Sequence, residues 1–208
     1  MKPKFLFAAL AAAAMVLTLP AAAPVEPAAK PDSTTLLARP AVPPPAAPRA
    51  RVSPHETISL KVDDNRVTVV YGRPYSKDPK TGAPRKIWGA LVPAGKVWRT
   101  GADEATLFVT QRGIVLGGVP VPAGAYTLYT LPAADGSAKL LLNRSVGQWG
   151  ADPYDEKQEF ARVELRRADL SSPVDEFTMA LEKSPDGGAV LKMAWENTQY
   201  SAAYAVSK

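Results

Sequence analysis

No cysteine occurs among the 208 residues, and His55 is the one histidine. The first absence excludes disulfide frameworks, thiolate-built zinc or iron–sulfur sites and a cysteine nucleophile. The second excludes any site that draws two histidines from one chain. The Rossmann and P-loop glycine fingerprints are missing, as is the Gly-x-Ser-x-Gly turn of a hydrolase nucleophile. Nothing in the chain calls for a cofactor or a metal. Asp152, Asp155 and Glu156 lack the spaced acidic pattern and glycine of a calcium loop.

Excess charge is scarce where it would matter. The formal balance is +5, but most of it sits in the first 51 residues, and 52–208 carries 19 basic against 18 acidic side chains. A nucleic-acid binder needs a basic stripe on its folded part, because phosphate neutralisation dominates such affinity. Nucleic acid is therefore not an expected partner.

What is present begins with an export pattern. Met1-Lys2-Pro3-Lys4 is a short positive start, Phe5–Leu19 is a run of 15 residues that is apolar but for Thr18, and Pro20-Ala21-Ala22-Ala23 follows. That order describes a secretory signal peptide over 1–23. The alternative is a membrane anchor. As a helix the run spans only about 22 Å at 1.5 Å per residue, short of a ~30 Å hydrocarbon core. Cleavage, with no transmembrane anchor afterwards, and a periplasmic or secreted location are the expectation. Residues 24–51 contain eight prolines and little apolar bulk. Ordering them would cost about 1–2 kcal/mol of backbone entropy per residue without a compensating core, so they read as a disordered Pro/Ala-rich linker. It serves as a passive linker, or as a spacer or Pro-rich peptide ligand.

From Val52 the period is two. Ile58, Leu60 and Val62 alternate with polar residues, Asp63-Asp64-Asn65 is a turn signal, and Val67, Val69 and Tyr71 resume the alternation, so an opening hairpin is expected. Further strands are expected at 104–111, 113–116, 124–131, 138–143, 160–167, 174–182, 188–196 and 199–206, with a helical turn only at 153–159. Phe177, Met179 and Leu181 share one face, as do Leu191, Met193 and Trp195. Val92-Pro93-Ala94-Gly95 recurs as Val121-Pro122-Ala123-Gly124, a sequence suited to a three-residue hairpin loop with a bulge. Nine or ten strands without long helices predict an all-β domain over 52–208, an antiparallel β-sandwich or open barrel-like fold.

Several segments carry a resemblance. They are Ser53-Pro54-His55-Glu56, Tyr71-Gly72-Arg73-Pro74, Arg85-Lys86-Ile87-Trp88-Gly89, Val97-Trp98-Arg99-Thr100-Gly101-Ala102-Asp103-Glu104-Ala105-Thr106, Pro122-Ala123-Gly124-Ala125-Tyr126-Thr127-Leu128 and Gln148-Trp149-Gly150. Together they resemble a bacterial family known as domain of unknown function 2911, over roughly 53–206. The resemblance implies an exported β-rich domain and supplies no catalytic residue. It also implies Asn where this chain has Asp103, and a shorter loop than Lys77–Pro84.

Two clusters are candidates for chemistry. Trp98, Arg99, Asp103 and Glu104 crowd one segment. Arg99 either presents its planar guanidinium to a carboxylate or phosphate beside Trp98, or pairs with Asp103 or Glu104 inside the fold. Trp149 and Tyr154 form a second polar-aromatic run, suited to stacking on a sugar or to capping the core. A hydrolase of an extracellular polymer would use a carboxylate pair such as Glu104 and Glu176. Ser53 and His55 are neighbours at the linker boundary, and His55 reads as a loop or edge residue. The leading expectation is a binding or envelope-associated module without catalysis, its partner a small molecule, a glycan or an envelope protein. A purely structural interaction protein is the third reading.

Overall fold

The computed structural model describes residues 50–151 and 154–207. The expected signal peptide, Asp152 and all but the last two residues of the expected linker lie outside them. Nine strands follow in chain order: β1 (His55–Val62), β2 (Asn65–Gly72), β3 (Thr106–Thr110), β4 (Ile114–Leu116), β5 (Val119–Val121), β6 (Gly124–Pro132), β7 (Ala138–Asn143), β8 (Glu159–Lys183) and β9 (Ala189–Val206). They form one antiparallel sheet in the order β1-β2-β3-β6-β7-β8-β9-β4-β5, not closed into a barrel. A single 3₁₀ turn, Glu156–Gln158, is the helical element among the described residues; Asp155 caps it by accepting from the Lys157 N–H.

Alternation dictates the layers. Inward residues of β2 (Val67, Val69, Tyr71), β8 (Phe177, Met179) and β9 (Leu191, Met193, Trp195) are almost wholly buried in one core. Met179 pairs with Met193 and Leu181 with Leu191, so the faces read from the sequence coincide across the ladder. The sheet folds back on itself in a sandwich-like manner. Tyr71 of β2 reaches β8, its hydroxyl accepting the Met179 N–H at 2.9 Å and donating to Glu56 at 2.9 Å. Arg73 makes a second tie, pairing Glu56 and Glu176 at 3.2 Å each.

The opening hairpin turns on Asp63 and Asp64, both at positive φ (47° and 58°), as a two-residue type I′ loop requires. Asn65 belongs to the strand, where its buried amide bonds Thr110 and the Arg112 N–H.

Three expectations are corrected. The stretches 160–167 and 174–182 are one strand, as are 188–196 and 199–206. What broke the sequence pattern is a pair of register shifts near Val174 and a left-handed Glu196 (φ 52°), bulges that bend a strand without ending it. The short β5, which contains Pro120, was not foreseen; Pro sits there on a sheet edge, as its missing N–H requires. Val121-Pro122-Ala123-Gly124 is not a hairpin loop. β5 pairs with β4, whereas β6 pairs with β3 and β7, so this turn carries the chain between separated parts of the sheet. Proline and glycine set a bend; the partner of each strand is set by the core it buries.

Candidate functional site

The segment between Trp98 and Thr106 lies against the ends of β2 and β6. Trp98 exchanges two backbone hydrogen bonds with Thr130 at 2.8 Å. Thr100 then takes φ 54°, an outlier for a β-branched residue, and Asp103 takes φ 60°. The surroundings impose both. The Thr100 hydroxyl bonds that of Thr130 at 2.8 Å, the Thr106 hydroxyl donates to the Thr100 carbonyl at 2.6 Å, and the Gly150 N–H donates to the Asp103 carbonyl. The loop sits so close to β2 that a Cβ on Gly72 would stand 2.3 Å from the Ala102 oxygen. Strained backbone over-determined in this way concentrates at functional sites.

The loop has two sides. On one, Trp98, Arg99 and Asp103 line a cavity of about 290 Å³ together with Arg85, Tyr75 and Trp195. Trp98 and Trp195 stack with centroids 5.8 Å apart, and Phe177 meets the edge of Trp98 at 5.1 Å. Trp98 thus forms the wall where the aromatic core reaches the cavity. Burial draws the Arg99 guanidinium below its ordinary pKa, and the Asp103 carboxylate partly offsets that. Three N–H donors on residues of this lining have no hydrogen-bond partner among the described residues: Arg85 Nε, Arg99 Nε and Trp195 Nε1, the last on a residue only 1% exposed. Arg85 is otherwise anchored through Nη2 on the Tyr75 carbonyl.

On the other side, Glu104 meets the sole histidine. His55 Nε2 lies 2.9 Å from Glu104 Oε2, and Nδ1 lies 3.0 Å from the Ser53 carbonyl. Arg51 grips the same carboxylate from Nη2 at 2.7 Å and Nε at 2.9 Å. Burial raises the Glu104 carboxyl, but the Arg51 and His55 hydrogen bonds outweigh it and leave the group below its ordinary value. Asp103 connects the two sides, its Oδ2 accepting the Val52 and Ser53 N–H groups at 3.3 and 3.2 Å. A second, mainly apolar hollow of about 420 Å³ lies beside His55 and Glu104.

The structure therefore brings Trp98, Arg99 and Asp103 together and sets Glu104 on the opposite side. Trp149 bridges Glu104 through the backbone and does not line the cavity. Tyr154 packs edge-on against Tyr129 at 4.9 Å and donates to Glu159 at 2.7 Å; burial, foremost, pushes its hydroxyl pKa up. It caps a small core with Leu141. Glu176 is paired with Arg73 and is not part of the cavity lining. Sequence reasoning missed Arg85 and Trp195. Arg85 was visible in the Arg85-Lys86-Ile87-Trp88-Gly89 segment; Trp195 looked like an ordinary inward residue of a strand. His55, expected as a loop or edge residue, opens the edge strand β1 and in addition holds Glu104. Among the described residues no three acidic or histidine side chains are grouped to hold a metal ion.

A family model described as "Protein of unknown function (DUF2911)" matches residues 53–203. The chain belongs to the DUF2911 family. The matched span of this DUF2911 protein contains Arg85, Arg99, Asp103 and Trp195, and also His55 and Glu104. Arg51 and Val52 lie just before it. No curated protein and no solved structure matches the chain.

Proposed function

We propose that this DUF2911 protein is an exported binding module of the cell envelope or its surroundings, and that its ligand occupies the cavity beneath the Trp98–Asp103 loop. The observation that carries the reading is one cavity lined by three residues, Arg85, Arg99 and Trp195, that each bury an N–H donor without a partner among the described residues. A buried donor without an acceptor costs about 1–3 kcal/mol, so a protein retains three together where a ligand supplies the acceptors. A concave site with few convergent polar groups on an aromatic wall is the usual form of a small-molecule pocket. Export is supported by the charged start, apolar run and alanine-rich segment of residues 1–23. Among the described residues no helix is long and apolar enough to cross a membrane.

The carboxylate-pair hydrolase gains no support at this cavity, whose lining carries one carboxylate, Asp103, already accepting two backbone N–H groups. A resonance-assigned sample titrated with neutral, anionic and cationic fragments tests the binding reading. Saturable movement of the Trp195 indole N–H signal is expected with at least one class. A folded protein whose Trp195 signal answers to none of them would refute it. The mass of the mature N-terminus checks export: loss of about the first 23 residues is expected, as the signal pattern predicts.

A further inference from the structure

The chemistry of the lining narrows the ligand class, an inference that rests on the cavity reading above. We infer that the cavity takes an amphiphilic monocarboxylate, its carboxylate on Arg85 and Arg99 and its apolar body against the rim. Polarity comes first. The unpartnered buried groups here, Arg85 Nε, Arg99 Nε and Trp195 Nε1, are all donors. The complementary head group is therefore an acceptor, and an ammonium meets only the Asp103 carboxylate, whose Oδ2 already accepts two backbone N–H groups. Guanidinium forks match a planar two-oxygen group, and such charge-assisted bonds are the strong ones.

Charge comes next. The lining holds two guanidinium cations and one carboxylate, leaving a single net positive charge. A monoanion neutralises it, whereas a dianionic phosphate would leave excess negative charge in a partly buried site. The rim decides the rest. Five large apolar side chains are exposed among the described residues, and three of them, Val52 (67%), Tyr75 (42%) and Leu91 (44%), line this one cavity. Pro74 and Pro79 stand with them. Apolar surface gathered around a charged recess suits a ligand with a charged head and an apolar body. At about 290 Å³ the recess lies at the low end for small-molecule sites, enough for the head and a few carbons, with the remainder on the rim.

The test uses the protein as its host processes it, with hexanoate, hexanamide, hexylammonium, acetate and inorganic phosphate as probes, read by the Trp195 indole signal. Hexanoate is expected to bind at least ten-fold more tightly than each of the others. Arg99→Gln and Arg85→Gln should each weaken hexanoate ten-fold or more and hexanamide by clearly less, with melting curves confirming that the variants fold. If one variant does not fold the other carries the comparison, and if neither does, the hexanoate–hexanamide ratio of the unaltered protein decides. A ratio below ten-fold with both probes bound would remove the carboxylate and leave the ligand cavity standing. Phosphate or acetate equalling hexanoate would remove the amphiphilic monoanion. Silence with every probe and every fragment would remove the cavity reading itself.

Discussion

Burial alone pushes the Glu104 carboxyl upward, yet the hydrogen bonds from Arg51 and His55 leave it below the ordinary glutamate value. A carboxylate depressed by folding contributes stability that is present above its unfolded value, about 4.3, and is lost as pH falls through the lower folded value. Glu104→Gln has no such contribution to lose. Its melting temperature is expected to drop less than that of the parent between about pH 5 and about pH 3, and parallel calorimetric profiles would refute this. Asp103 poses a different problem, since its oxygen satisfies two backbone N–H groups while its own backbone is left-handed. Asp103→Ala strands both donors and keeps an unfavourable φ, so a loss of about 1–3 kcal/mol is expected in denaturant titrations. Asp103→Asn keeps an acceptor and tolerates the left-handed region, so its loss should be smaller.

Where elements meet, backbone proximity governs. Gly72 ends β2 against the carbonyl of Ala102, and the Ala102 N–H donates back to the Gly72 carbonyl at 3.2 Å. Gly72→Ala would drive the Trp98–Asp103 loop off the strand. It should cost about 1–3 kcal/mol, as overpacking does, and disturb the Trp195 indole signal as well. The β1–β2 hairpin gives the opposite sign. Asp63 and Asp64 occupy left-handed positions that Asn-Gly fills with less strain, so replacing the pair by Asn-Gly should stabilise the domain by about 0.5–1 kcal/mol. The Lys61–Asp64 ion pair lost in doing so is exposed and contributes little. An unchanged or lowered unfolding midpoint would contradict the turn assignment.

At the scale of the molecule, Tyr71 joins two parts of the folded sheet that no ladder connects. Its hydroxyl is pushed up to about 12, burial being the largest cause. A tyrosine raised in the folded state contributes stability fully present below its unfolded value of about 10 and lost as pH rises through the folded value. Stability is thus expected to fall between about pH 10 and pH 12 in the parent, and less so in Tyr71→Phe. At neutral pH that variant leaves the Met179 N–H without its acceptor and should cost about 1–3 kcal/mol. An unaltered midpoint would mean that packing and the Arg73 tie hold β2 and β8 together without the hydroxyl.

Local pattern determined the all-β class, the faces of β8 and β9 and the opening hairpin, because two-residue alternation and turn residues act over a few positions whatever the rest of the chain does. It also singled out Trp98, Arg99 and Asp103. Only the tertiary structure decided that β5 and β6 are not neighbours, that Glu104 turns away toward His55 and Arg51, and that Arg85 and Trp195 share a cavity with Arg99. Strand order and cavity depend on which distant surfaces bury each other. Trp195 lies 96 positions from Arg99 in the chain, a separation that no local periodicity can bridge.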